Sequence, residues 1–252
     1  MKPNAPLCSR SRILFLALCL PLFLACAEID PAVLETVLGT DSNAPLSEST
    51  VAEGLREALR VGSGRAVDST SRVDGYLANE LIRIHLPEEL ETMARILRSA
   101  GFGAQVDALE VAMNRAAEQA AGEAREIFVD AILDLSIVDA FAILRGHETA
   151  ATDYLRTQTS DELRLRFQPV IANKMKEVDL YQAYSHLAGI YNALPFSKPV
   201  PASLDLYLTE EALDGLFTVL AQEERKIRED PLARTTELLR RVFGRQREMQ
   251  RR

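Results

Sequence analysis

The stretch "GAQVDALEVAMNRAAEQAAGEA", residues 103–124, places an alanine at every fourth position: Ala104, Ala108, Ala112, Ala116, Ala120 and Ala124. A four-residue step links neighbouring turns of an α-helix, and Val106, Leu109 and Met113 occupy the rows beside it. Each step overshoots a full turn by roughly 40°, so six alanines wind about 200° around the axis and no straight neighbour touches them all. Such an oblique row suits a helix crossing at around 50°, with small side chains letting the backbones approach. The ladder reads as a helix–helix seam inside one domain. Asn114 and Arg115, set in its middle, are not accounted for by packing. If buried they need partners, because an unpaired buried charge is costly.

Helical periodicity continues on both sides of the ladder. "VAEGLREALRVGSGRAV" (51–67) gives Leu55, Leu59 and Val61 before a Gly-Ser-Gly break. "RIHLPEELETMARIL" (83–97) has a short extended start, with Ile82, Ile84 and Leu86 alternating with Arg83 and His85. Pro87 then opens a helix, and Glu88 and Glu89 suit the positive end of its dipole. Gly101 in "GFG" breaks a helix. Ser136 with Asp139 resembles a capping box, and Thr159 with Glu162 has the full pattern ahead of "LRLRFQPVI", which Pro169 is expected to kink or end. Leu180, Tyr184, Leu187, Tyr191 and Leu194 form an apolar stripe, followed by the proline-rich connection "PFSKPVPAS". "LTEEALDGLFTVLAQEERKIRED" (208–230) is a long amphipathic helix, and Asp230-Pro231 ends it and caps another. No stretch sustains a strand. The expected fold is all-α, a single multi-helix bundle of about eight helices over residues 51–244.

The N-terminus speaks for location. Lys2, Arg10 and Arg12 precede the apolar run "ILFLALCLPLFLA" (13–25), the layout of a secretory signal peptide over residues 1–25. Thirteen apolar residues fall short of the about 20 that span a bilayer. "LFLAC" ends the leader, and its Cys26 resembles the lipidated cysteine of a bacterial lipoprotein; cleavage after Ala27 is the rival reading. Cys8, Cys19 and Cys26 are the three cysteines, so the body beyond residue 26 has none and forms no disulfide. Residues 26–50, with the turn-rich "GTDSNAPLSEST", read as an anchor and a flexible tether. The chain is thus expected to be an exported envelope protein, held by lipid at the periplasmic side of a membrane, the outer membrane first.

Charge and residue types narrow the chemistry. Without residues 1–25, Lys+Arg falls from 29 to 26 against 37 Asp+Glu, a net charge of −11. That acidity excludes nucleic acid as a general partner. The end "RRVFGRQREMQRR" (240–252) is the exception. Its basic tail from residue 245 is either a solvated helix end or a weak contact for anionic head groups or cell-wall polymer. Neither His85, His147 nor His186 has a glutamate three residues before it, so the paired Glu-x-x-His of a di-iron bundle is missing. "HETAA" at His147 ends in alanine where a zinc protease needs histidine, and no Gly-x-Ser-x-Gly elbow or phosphate loop occurs. Glu126, Asp130 and Asp134 share a helical face, which a solvated acidic surface explains. The chain reads as a non-enzyme with no cofactor and no metal.

Three blocks carry a resemblance: "LEVAMNRAAEQAAGEAREIFVDAI" (109–132), "DAFAILRGHETAATDYLR" (139–156) and "LDGLFTVLAQEERKIREDPLARTTELLRRVFG" (213–244). They are similar to a bacterial exported family catalogued as domain of unknown function 4197, from about Val51 to Gly244. The resemblance implies a helical envelope protein without an assigned activity. Its matching positions are Asn114, Arg115 and Glu118, then Asp139, Gly146, Thr152 and Tyr154, then Asp214, Glu224, Arg228, Pro231 and Thr235. Residues 181–203 fit it less well.

Two readings follow from these residues. In one, the protein is a tethered interaction or structural module with an envelope protein as partner, and Asn114, Arg115, Glu118 and Arg228 form a buried network that fixes helix register. In the other, it carries a small amphiphile in a cavity lined by Phe128, Phe141, Tyr154, Phe167, Tyr184 and Phe217, with Arg115 or Arg228 meeting the head group. The plainer expectation for both arginines is an ion pair with Glu118 or Glu224. Asp139, Tyr154 and Glu224 complete the candidate contacts.

Overall fold

Helix α1 spans Glu48–Ser71 and begins where the Ser47 hydroxyl accepts the Thr50 amide at 3.1 Å. The computed structural model describes residues 47–177, 181, 182, 184, 200, 203–233, 236, 238, 240 and 242. All belong to one compact unit, Leu46–Arg252. Cys26, the leader, the tail beyond 242, most of the 180–194 stripe and most of 195–203 lie outside the described residues. After α1 come α2 (Glu88–Leu97), a π-helical turn (Arg98–Phe102), α3 (Gly103–Ala121), α4 (Ala124–Leu133), α5 (Ile137–Arg145), α6 (Ala150–Met175) and α7 (Asp205–Glu229). A 3-10 turn, Pro231–Ala233, follows, with Asp230 Oδ1 accepting the Leu232 amide at 2.8 Å. The fold is all-α, and no strand occurs among the described residues.

Seven α-helices are bounded among those residues, where about eight are expected of the whole body; Tyr181, Gln182, Tyr184, Leu238, Arg240 and Val242 are helical besides, and the first helix starts inside the stretch read as a tether. The expected Gly-Ser-Gly break is absent, and the helix does not end at Pro169. Gly62 and Ser63 are buried within α1, and Gly62 faces Ile227 of α7, so the Gly-Ser-Gly segment serves as a packing notch. Pro169 lies within α6, which continues to Met175. Leu155, Thr159, Leu163, Phe167, Ile171 and Met175, four apart, are all buried along one stripe. Burying Phe167, Ile171 and Met175 offsets the roughly 3 kcal/mol that an internal proline costs. Thr159 caps nothing: its hydroxyl donates to the Leu155 carbonyl at 2.7 Å. The Ser136–Asp139 capping box does form at the start of α5.

The alanine ladder winds as helical geometry requires. Ala104 and Ala108 are exposed, Ala112 is half-buried, and Ala116, Ala120 and Ala124 are buried. It crosses two helices, because α3 ends at Ala121 and α4 begins at Ala124. Gly101 turns the chain between α2 and α3 at φ 92°, a left-handed conformation that glycine adopts without steric cost.

Helix α7 packs mainly against α6 and α1, and α3 lies against α6 and α7. Phe128 and Phe217 meet edge to face, 5.9 Å between ring centroids, at the centre of the core. The connection from α1 to α2, residues 72–87, also enters the interior. Its Tyr76 is fully buried, and the hydroxyl donates to the Ala212 carbonyl of α7 at 2.5 Å. A Cβ at Gly215 would stand 2.5 Å from Tyr76 Cε1. Gly215→Ala is therefore expected to destabilise the fold by roughly 2 kcal/mol, seen in thermal melts as a Tm lower by about 4–8 °C. An unchanged Tm would mean that Tyr76 does not occupy this pocket.

Candidate functional site

Most of the singled-out polar residues gather in two clusters, each built on one helix and directed at backbone groups elsewhere in the chain. The first is on α3. Asn114 is fully buried, and its side-chain amide pairs with the Ile84 peptide as a strand neighbour does. Oδ1 accepts the Ile84 N–H at 2.9 Å, and Nδ2 donates to the Ile84 carbonyl at 2.8 Å. A further Nδ2 bond reaches the Glu110 carbonyl at 2.9 Å. One turn on, Glu118 is 3 % exposed, and its Oε1 accepts the Tyr76 and Leu77 amides, each at 3.2 Å. Its Oε2 accepts Arg115 Nη1 at 2.7 Å, and Arg115 Nη2 reaches Asp74 at 2.7 Å. Hydrogen bonds to Glu118, then Asp74, raise the Arg115 pKa. Burial first, and the Glu118 charge second, push the Tyr76 phenol well above its usual range.

A helix cannot present two side chains to one extended segment unless they share a face, and the i, i+4 spacing of Asn114 and Glu118 does so. Residues 72–87 form no helix of their own, so their buried peptide groups need partners from elsewhere. Helix α3 supplies them.

The second cluster is on α7. Glu224 is 8 % exposed; its Oε1 accepts the Ala151 amide at 3.0 Å, and its Oε2 accepts the Thr152 amide and hydroxyl, each at 2.8 Å. These amides belong to the first turn of α6, whose N-cap Thr149 makes no side-chain capping bond. The Thr149 hydroxyl instead meets His147 Nδ1 at 3.2 Å. Glu224 thus caps α6 from another helix, its negative charge at the positive end of the dipole. Arg228, one turn further, donates through Nε to Glu224 Oε1 at 2.9 Å and through Nη2 to the Ile143 carbonyl at 3.0 Å. Ile143 lies in the last turn of α5, where a cation suits the dipole. One i, i+4 pair therefore holds both ends of the 146–149 link.

The arginines pair as expected, with Glu118 and Glu224. The expected single network of Asn114, Arg115, Glu118 and Arg228 is instead two: Arg228 belongs to α7 and pairs with Glu224. Asp139 serves the Ser136 cap, accepting its hydroxyl at 2.6 Å. Tyr154 is half-buried on α6, its pKa raised by burial and then by Asp139 and Asp134. Asp214 pairs with Arg156 at 2.6 Å. Thr235 and Cys26 lie outside the described residues.

The six aromatic residues assigned to a carrier cavity share none among the described residues: Phe141 packs, partly buried, against the core, and Tyr154 lines a surface cleft between α5 and α6. Phe128, Phe167 and Phe217 fill the core, and Tyr184 is 3 % exposed within it. Beside Glu224, a void bounded by Leu55, Leu59, Leu220 and Ile227 measures about 20 Å³, space for one water. Glu126 and Asp130 are exposed, and no group of three His, Cys, Asp or Glu among the described residues is placed to hold a metal ion.

Sequence reasoning missed the targets of both clusters: Asp74, Tyr76, Leu77 and Ile84 in one, Ala151 and Ile143 in the other. A turn signal at Asp74-Gly75 and an isolated aromatic in a polar connection were the only local hints of the first. No curated protein and no solved structure matches the chain. A family model described as "Protein of unknown function (DUF4197)" matches residues 45–244, a span that includes both clusters. The chain belongs to that family.

Proposed function

We propose that this protein is a non-enzymatic interaction or structural module of the cell envelope, tethered through a lipid on Cys26. One observation supports the module reading most: the buried polar side chains of the two clusters are engaged by the protein's own backbone. Asn114 and Glu118 bind peptide groups of the 72–87 connection, Glu224 binds those of the first turn of α6, and Arg115 and Arg228 complete those contacts. Groups so engaged are poor candidates for attacking or protonating a substrate. They make a rigid helical body of the kind that presents a fixed surface to a partner protein. The filled aromatic core weighs against an amphiphile carrier.

The anchor is tested by the covalent mass of the chain made with its own leader and extracted from membranes. A chain beginning at Cys26 and carrying a diacylglyceryl group is expected, and Cys26→Ser should release the protein from the membrane fraction. A mature chain beginning at Glu28 would overturn the anchor. In the same preparation, native mass spectrometry tests the module. A stoichiometric amphiphile surviving desalting would overturn it in favour of a carrier.

A further inference from the structure

A second feature lies outside both clusters, on the surface where α5 meets α6. Asp139, Ile143, His147, Asp153, Tyr154 and Gln158 are among the residues that line a cleft of about 430 Å³ there. That size falls within the ~300–1,000 Å³ typical of small-molecule sites. We propose that this cleft binds a small organic cation, an alkylammonium whose charge meets Asp139 and Asp153 and whose stem lies along the ring of Tyr154. The inference is independent of the Cys26 anchor.

Four observations carry it. The lining holds two carboxylates and one imidazole but no lysine or arginine, so its fixed charge is negative. Asp139 commits one oxygen, Oδ2, to Ser136, and its other oxygen takes no bond among the described residues. Tyr154 lines the cleft with these carboxylates, as do the apolar Ala142, Ile143 and Ala150, the combination of residue types that suits an organic cation better than a hydrated metal ion. The cleft is also held from behind. Glu224 fixes the first turn of α6 and Arg228 the last turn of α5, so both walls are in place before a ligand arrives. Burial first, and then the charges of Asp139 and Asp134, raise the Tyr154 pKa, and the two smaller contributions agree with a negative potential at this spot. Asp153 is already engaged, by His147 Nε2 at 3.2 Å, but both side chains are more than half exposed. Exposed pairs of this kind are weak, and a ligand cation can displace the imidazole.

The test is an NMR titration of the full ¹⁵N-labelled chain without its leader, with butylammonium as the probe and neutral butanol as its match in size. The expected result is one saturable curve shared by the amides of Gly146, His147, Ala150 and Tyr154, with no such curve for butanol. Asp153→Asn should weaken butylammonium binding by about fivefold or more, and Tyr154→Leu by a similar factor. Both variants should keep the wild-type circular dichroism, because neither residue belongs to the clusters that hold the fold. No saturation, equal response to butanol, or shifts scattered over the acidic surface and unchanged in Asp153→Asn would each overturn the proposal.

Discussion

Glu224→Ala is expected to cost about 4 kcal/mol, more than the loss of any other side chain in the two clusters. The carboxylate accepts three hydrogen bonds from the start of α6 and holds Arg228, so its removal orphans several groups at once. The Ala151 and Thr152 amides lose their partners in a buried place, and the Arg228 guanidinium, 14 % exposed, loses its counter-charge. For a body of this size the loss corresponds to a fall in Tm of roughly 8–16 °C. Arg228→Ala should cost less, about 2 kcal/mol, because Glu224 keeps its three donors and the helix dipole. Thr152→Val removes one hydroxyl bond and should cost about 1 kcal/mol. Urea unfolding of the three variants checks the order. A Glu224→Ala protein as stable as wild type would mean that the carboxylate does not cap α6.

Glu118→Ala is expected to cost about 3 kcal/mol, for a related reason with a different target. Its Oε1 accepts both the Tyr76 and the Leu77 amide, and Tyr76 carries the connection into the core. Releasing those amides loosens the anchor of residues 72–87. Arg115→Ala should cost only about 1 kcal/mol, since the guanidinium is 30 % exposed and its other partner, Asp74, is 54 % exposed. The ratio between the two variants is the informative quantity. Equal losses would place the stabilisation in the ion pair; a loss confined to Glu118→Ala places it in the backbone contact.

The local grammar of the chain was legible, and its long-range contacts were not. Ser136 with Asp139, and each arginine with its glutamate, are three or four residues apart, a spacing that one turn of helix brings together. What the two clusters hold lies 30 to 85 residues away: Ile84 from Asn114, and Ile143 from Arg228. Periodicity carries no signal across such distances. The continuation of the helices through Gly62 and Pro169 has the same origin, because burial against other helices outweighs a local preference that the sequence displays openly. Phe128, Phe167 and Phe217 failed as a cavity lining for a simpler reason: they lie in a core that they fill. Asn114, Glu118, Glu224 and Arg228, all within the span that the family model matches, hold this chain's own backbone together.

The most direct test of that account is native-state hydrogen exchange of the full chain, read at the Tyr76, Leu77, Ile84, Ala151 and Thr152 amides. None of the first three is in a helix, and the last two sit in a first helical turn without intrahelical partners. If the side chains of Asn114, Glu118 and Glu224 hold them, all five should exchange as slowly as the core of α6, near the rate set by global unfolding. Fast exchange at these amides beside a protected α6 would contradict the account, because the carboxylates and the amide would then be free for other chemistry.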